Sequence, residues 1–329
     1  MKLKAGIIGC GSFGRLHSNI IRKLGLFTLH AYADIKEEAA SSCAAEYGAA
    51  YYTTDYRKIT SDPDIDVVVV NTTHDAHFPI AMDAIASNKH VFMEKPLAMS
   101  NQQCEAIKSA LVGKPIKFAV GHKMRFAPMV RRAKSEMPKP ITIIAQMMCN
   151  RWGDDIWAQD PVMGGGNVLS QGCHIFDLVT YLAGDMPDTV YAEGGTFTHT
   201  NTELIDNIVA TVRFKNGVIA SVTIGDAGLN NFTSKTMVQL YGGNDCINLS
   251  ERLYSFARFK GKLEEKQDLP QDMYDVDSDP EGFYLQMKEF HDCIVSGKQP
   301  LVGAPEGANA VRMAFAAFES VRSGQPIKL

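Results

Sequence analysis

The segment Gly9-Cys10-Gly11-Ser12-Phe13-Gly14 restricts this chain more than any other. It fits G-x-G-x-x-G. It follows the short apolar run Leu3 to Gly9 and opens a stretch of helical spacing, Ser12 to Leu24, with Phe13, Leu16, Ile20, Ile21 and Leu24 near one face. Asp34 closes the next apolar run, Leu29 to Ala33. A strand, a glycine turn, a helix and a later acidic residue together form a dinucleotide-binding fingerprint. Gly9 allows the tight turn, Gly11 lets backbone approach a pyrophosphate, and Gly14 lets the helix pack on the strand. Ser12 and Phe13 begin the helix, whose free N–H groups and partial positive charge suit phosphate. Asp34 would accept hydrogen bonds from the adenine ribose hydroxyls and repel a 2′-phosphate. The next residue is Ile35 rather than Arg. The expected cofactor is therefore NAD over NADP, with Lys36 the residue that keeps NADP open.

The pattern that follows is repetitive. Lys36 to Tyr47 reads as helix, Ile65 to Val70 as a strand buried on both faces, and His77 to Ser87 as helix. His90 to Met93 reads as strand, Asn101 to Leu111 as helix and Ile116 to Val120 as strand. Strand and helix alternating with short connections predict a doubly wound parallel sheet, a Rossmann domain. After about residue 123 the pattern changes. Ile141 to Met148 reads as strand, Gly164-Gly165-Gly166 leads into a helix near Val168 to Leu182, and four strand-like runs follow between Thr189 and Tyr241. Asn216-Gly217 between two of them is a hairpin signal. Two helices, near Gly282 to Val295 and Pro305 to Ser323, close the chain. At 329 residues two domains are expected. The first is a Rossmann domain over 1–123. The second, over 124–329, is an α/β domain with a large, mostly antiparallel open sheet.

Composition excludes several classes. The 33 basic and 37 acidic residues give a net charge of −4, with no basic run to attract nucleic acid or an anionic membrane. No apolar stretch is long enough to span a bilayer, and the run before Cys10 is too short for a secretory signal, so a cytoplasmic protein is expected. The seven cysteines are scattered without a C-x-x-C, which argues for reduced thiols and no metal site.

Three further places carry chemistry. Glu94-Lys95-Pro96 lies just past a strand, on the edge where doubly wound sheets bind ligands; a residue before proline is biased to extended backbone. From the residues alone Lys95 reads as a solvated lysine. Ser170 and His174 are four apart, one helical turn on one face, and Asp177 continues it. A lone helical histidine is ordinarily a packing or surface residue. Asn150, Arg151, Trp152, Asp155 and Trp157 hold both tryptophans of the chain. Indoles stack on sugar faces and the polar residues suit hydroxyls, while packing of the loop explains the tryptophans equally well.

Taken in order, the segments GIIGCGSFG, Asp34, VVVVNTTHDAHFPIA, EKP, VGHKMRF, GGG with a helical histidine, DN…FKNG and PLVGAPEGANAVRMAFAAFES resemble the glucose-fructose oxidoreductase/inositol dehydrogenase (Gfo/Idh/MocA) family nearly end to end. The resemblance implies NAD(P)-dependent oxidoreduction of sugars and cyclitols. It implies that Lys95 meets both substrate and nicotinamide, that Glu94 binds the nicotinamide ribose, and that Lys95-Pro96 is a cis peptide. Asn71, Thr72, Thr73, His74 and His77 would border the cofactor together with Pro96, with packing an equal reading for the two histidines. His174 matches the family's catalytic histidine, and Asp177 its trailing aspartate, a structural hydrogen-bonding partner. Met124, Arg125 and, more weakly, Phe232 fall by resemblance near the substrate pocket, and Gln171 could add an amide contact.

Two positions depart from the family pattern. Thr73 stands where many relatives have Pro. Ser170 stands where many have Asp, so a Lys–Asp–His relay is replaced here by Lys95 and His174, or the substrate differs. The expected function is hydride transfer between NAD(H) and a secondary alcohol or ketone of a sugar, cyclitol or derivative. A non-catalytic NAD- and sugar-sensing regulator and an NAD-dependent glycosidase share the architecture and stay open. By analogy with relatives, a homodimer or homotetramer through the second domain's sheet is expected, with a small polyol or sugar as the ligand.

Overall fold

The computed structural model describes residues 2–230, 233–270 and 279–329. Phe232 lies outside the described residues. The chain opens with β1 (Leu3–Ile8), α1 (Ser12–Leu24), β2 (Phe27–Ala33), α2 (Glu37–Tyr47), β3 (Tyr51–Thr53), α3 (Arg57–Ser61), β4 (Val67–Val70), α4 (His77–Ala86), β5 (His90–Met93), α5 (Asn101–Ala110) and β6 (Phe118–Val120). The six strands pair in parallel in the order β3-β2-β1-β4-β5-β6. Val67 to Val70 are buried on both faces, as an unbroken β-branched run requires at the centre of such a sheet. The order reverses between β1 and β4, so the ends of those strands diverge into a crevice suited to a ligand.

The second half contains α6 (Pro128–Glu136), β7 (Thr142–Asn150), α7 (Gly166–Ser170), α8 (Gly172–Ala183), β8 (Pro187–Gly195), β9 (Asn207–Phe214), β10 (Ile219–Gly228), β11 (Thr236–Gly242), β12 (Asp245–Ser250), β13 (Ser255–Phe259) and β14 (Leu263–Asp268). Then come α9 (Phe283–Ser296), α10 (Ala304–Ser323) and β15 (Ile327–Lys328). Among the described residues nine strands form one sheet, β14-β13-β12-β11-β7-β10-β9-β8-β15. Of these strands β7 and β10 pair in parallel, and the other described pairs are antiparallel. Asn216-Gly217 makes the expected hairpin between β9 and β10, with Gly217 at φ 90°. One face of the sheet is covered by α8, and alternate residues such as Ile143, Ala145 and Met147 are buried there. The opposite face shows Ile144, Val209, Ile219 and Tyr241 to solvent.

The chain divides into two compact units that a single cut at residue 123 does not reproduce. The first is Met1–His122 with Phe283–Ala308; the second is Lys123–Gly282 with Asn309–Leu329. The grouping of α9 with the first unit has a clear cause. Phe283, Met287 and Phe290 form a helical stripe on α9 and join Ile20, Ile21, Phe27 and Phe92 in the core of the first unit. Each buried aromatic or aliphatic side chain contributes about 1.5–3 kcal/mol there, which outweighs proximity in sequence. Among the described residues no helix is long and apolar enough to cross a membrane.

Candidate active site

In the first unit the glycine turn is built as its residue types demand. Gly9 has φ 90°, and a Cβ there would fall 2.5 Å from the Asn71 carbonyl oxygen at the end of β4. A Cβ on Gly14 would fall 2.0 Å from the Gly9 carbonyl oxygen, so only glycine lets α1 approach the turn this closely. At Gly11 a Cβ would meet nothing within 4 Å. Gly11 is the N-cap of α1 and no side chain caps the helix, so its first N–H groups remain offered to an anion. This combination of a close turn, an uncapped N-terminus and open space fits a pyrophosphate.

Asp34 ends β2 beside the turn. Its Oδ2 accepts the Cys10 N–H at 2.8 Å and its Oδ1 the Lys36 N–H at 2.9 Å. The carboxylate therefore shapes the turn, next to the exposed Ile35. Burial pushes the Cys10 thiol well above the usual range, with Cys43 and Asp34 adding to it, so this sulfur stays protonated and unreactive.

The ends of β4 and β5 supply the next residues. The Asn71 N–H donates to the Ile8 carbonyl at 2.7 Å, locking the β1–β4 crevice. Thr72 Oγ1 donates to the Thr73 carbonyl at 3.1 Å and Thr73 Oγ1 to Asp75 at 2.6 Å, so both hydroxyls shape the turn. Lys95-Pro96 is a cis peptide, and Lys95 is buried. His77 is fully buried; its Nδ1 donates to the Pro96 carbonyl at 2.7 Å, and its ring packs on that of His74. Burial holds its pKa below the usual histidine range against the pull of the Pro96 carbonyl, so His77 is a neutral brace for the Lys95-Pro96 turn. Glu94 is buried too. Its Oε1 accepts from His17 Nε2 at 2.8 Å and its Oε2 from the Lys95 N–H at 3.1 Å. Burial alone would raise its pKa; the bonds to His17 and the charge of Lys95 reverse this and keep the carboxylate ionised. His17 on α1 gave no signal in the sequence beyond its helical position.

In the second unit the three glycines launch the helix that carries His174. A Cβ on Gly164 would fall 2.3 Å from Ala158 Cα, and Gly165 and Gly166 have φ of 75° and 86°. The continuous helix expected from Val168 to Leu182 is instead two, α7 and α8, interrupted at Gln171. There the His174 N–H donates to the Gln171 carbonyl, three residues back, at 3.1 Å. Gly172 lets α8 lie close to β10, since a Cβ there would be 3.0 Å from Ile224 Cδ1. Ser170 and His174 are both buried and flank this break. Lys235, just before β11, places Nζ 3.4 Å from Gln171 Oε1; sequence spacing had not linked these two residues.

Asp177, one turn beyond His174, receives Arg125 bidentately, Nε at 2.9 Å and Nη2 at 2.7 Å. Both partners are buried. The Arg125 guanidinium is thus committed to α8, and Met124 precedes it on the same short helical turn.

The loop after β7 is separate. Asp155 and Trp157 line an open hollow of about 910 Å³ with Asp160, Glu203 and Arg322, and its lining includes neither Ser170, Gln171 nor His174. Trp152 is half-buried and is tied by its backbone N–H to Asp226 at 3.2 Å. Among the described residues no group of three or more His, Cys, Asp or Glu side chains is arranged to hold a metal ion.

Comparison with known proteins gives two family-model matches. Residues 3–122 match the model described as an oxidoreductase family NAD-binding Rossmann fold, and residues 113–329 the C-terminal α/β domain of the same family. The chain is 22% identical to the scyllo-inositol 2-dehydrogenase (NAD(+)) of Bacillus subtilis, over 100% of this chain and 96% of that one. It is 20% identical to the myo-inositol 2-dehydrogenase of Thermotoga maritima, over 99% and 98% of the two chains. In fold it is similar to a levoglucosan dehydrogenase solved with NADH and levoglucosan, with a TM-score of 0.90, 21% identity and coverage of 100% and 99%.

Proposed function

The chain belongs to the Gfo/Idh/MocA oxidoreductase family, and we propose that it oxidises a secondary alcohol of a sugar or cyclitol to the ketone, or reduces the ketone. When bound, NAD supplies the hydride acceptor and its reduced form the donor. Gly9, Gly11, Ser12, Phe13 and Gly14 hold its pyrophosphate, Asp34 its adenine ribose, and Asn71, Thr72, Thr73 and Glu94 the nicotinamide half. His74, His77 and Pro96 shape that wall. The His174 imidazole takes the carbinol proton, a task suited to a group that ordinarily titrates near neutrality. The Lys95 ammonium holds the carbinol oxygen and offsets the negative charge that grows on it. Ser170 and Gln171 present a hydroxyl and an amide to neighbouring hydroxyls of the substrate. Met124 adds an apolar wall, Arg125 acts by fixing α8, and Trp152, Asp155 and Trp157 take more distant parts of a larger substrate.

The observation that carries this reading is the glycine turn, with Gly9 against Asn71, open space at Gly11 and an uncapped α1. It is tested by incubating the protein with NAD and a panel of cyclitols, aldoses and anhydrosugars and following NADH absorbance. Turnover on at least one is expected. Tight NAD binding with no turnover on any member returns the sensing reading, and release of an aglycone without net NADH returns the glycosidase.

Asp34 gives a second expected result. Asp34→Ala removes a charged acceptor worth about 1.5–3 kcal/mol, so NAD affinity falls by roughly ten- to a hundredfold, while NADP affinity falls less or rises. Titration calorimetry with both cofactors checks this; an equal fall for the two assigns Asp34 to shaping the Cys10 turn alone. A second copy of the chain would cover Ile144, Val209, Ile219 and Tyr241 on the open sheet face. Sedimentation of the wild type and of Val209→Lys reads whether that face holds a dimer or tetramer.

A further inference from the structure

A histidine outside the proposed reaction holds the 151–160 loop. His199 lies in the connection between β8 and β9 and is 1% exposed. Its Nδ1 is 2.6 Å from Asp154 Oδ1 and its Nε2 is 2.5 Å from Asp226 Oδ2. A carboxylate oxygen accepts and a protonated ring has two N–H donors, so an imidazolium satisfies both contacts at once. Burial opposes that charge, and the bonds to Asp226 and Asp154 override it, holding the proton above the ordinary histidine range.

The charged groups around the ring are few. Arg151 opposes the imidazolium while gripping Asp154 at 2.8 and 2.9 Å. Asp206 accepts the backbone N–H of Phe197, Thr198 and His199 and so fixes the segment that carries the ring. Asp226, on β10 and fully buried, also accepts the Trp152 backbone N–H at 3.2 Å and the Gln159 Nε2 amide at 3.4 Å. One carboxylate therefore ties both ends of the loop. The far end of the loop meets the glycines: Ala158 packs on Gly164, and a Cβ on Gly166 would be 3.7 Å from Gln159 Oε1. Those glycines start α7, which ends in Ser170.

We infer that His199 is a positioning residue: as an imidazolium bridging Asp154 and Asp226 it clamps the 151–160 loop against the entry to α7, and loss of its proton releases the loop and lets Ser170 shift. The effect on turnover rests on the reading that Ser170 and His174 meet the substrate. The direction in pH follows from the proton. The clamp is complete at low pH and is lost as pH rises through the elevated value, when one ring nitrogen turns a lone pair toward a carboxylate.

The chain supplies its own probe, because its two tryptophans, Trp152 and Trp157, are both in this loop. Tryptophan emission of the intact chain is expected to shift to the red as pH rises, with a midpoint above about 6.5. His199→Gln, which cannot bridge both carboxylates as a cation, is expected to show the released emission at all pH values. Asp154→Asn, which removes one of the carboxylates holding the proton, is expected to move the midpoint down. In the polyol assay His199→Gln should raise KM several-fold at acid pH with a smaller change in kcat. A flat wild-type emission between about pH 6 and 9, or a transition that persists in His199→Gln or stays in place in Asp154→Asn, overturns the clamp. If the emission behaves as expected and KM does not move, the clamp stands and the substrate role of the α7 end fails.

Discussion

His174→Ala is expected to lower kcat by about a hundred- to ten-thousandfold, the range that loss of a general base costs, while the protein still folds and still binds NAD. NAD binding persists because every residue assigned to the cofactor belongs to the first unit and His174 to the second. Lys95→Met keeps the length of the side chain and removes its charge. Its expected loss is about a hundred- to a thousandfold in kcat, the scale of removing one donor from a developing oxyanion. Deuterium at the reacting carbon and added imidazole separate the roles. Imidazole should restore part of the His174→Ala rate and leave Lys95→Met unchanged. Near-normal kcat in the double variant would remove both residues from the chemistry.

The second large effect is on stability. Asp177→Ala leaves the Arg125 guanidinium buried without its bidentate acceptor. Removing one partner of a buried pair costs about 3–5 kcal/mol. The loss falls on the second unit, so thermal unfolding should show one transition lowered by roughly 10 °C or more, with the other nearly in place. Asp177→Asn, which keeps one acceptor, should lose less. The double variant Arg125→Met with Asp177→Leu should recover most of the deficit, because two apolar side chains of similar bulk need no pairing. An unchanged transition in Asp177→Ala would mean that the ion pair contributes nothing.

What could be read in advance was what depends on a residue and its immediate neighbours. The glycine turn was legible because Gly9 needs positive φ and Gly14 cannot carry a side chain. The strand Val67–Val70 was legible because four valines in a row suit only a doubly covered strand. The hairpin at Asn216-Gly217 and the Gly164-Gly165-Gly166 entry were legible for the same reason. The strand β14 was not: its sequence, LEEKQD, is exposed throughout and has no apolar alternation to show. Lys95 and His174 were only a lysine and a histidine until resemblance gave them roles.

The sequence by itself determined the strand–helix alternation of the first half and the tight glycine turns. Each of these is set by backbone dihedral limits and side-chain periodicity within a few residues. Only the tertiary structure decided that α9 packs with the first unit, that Glu94 is answered by His17, that Asp177 is answered by Arg125, and that His199 sits between Asp154 and Asp226. These are pairings of charges and apolar faces far apart along the chain. Burial selects them by requiring every buried charge to find a partner, and no local pattern states which partner that is.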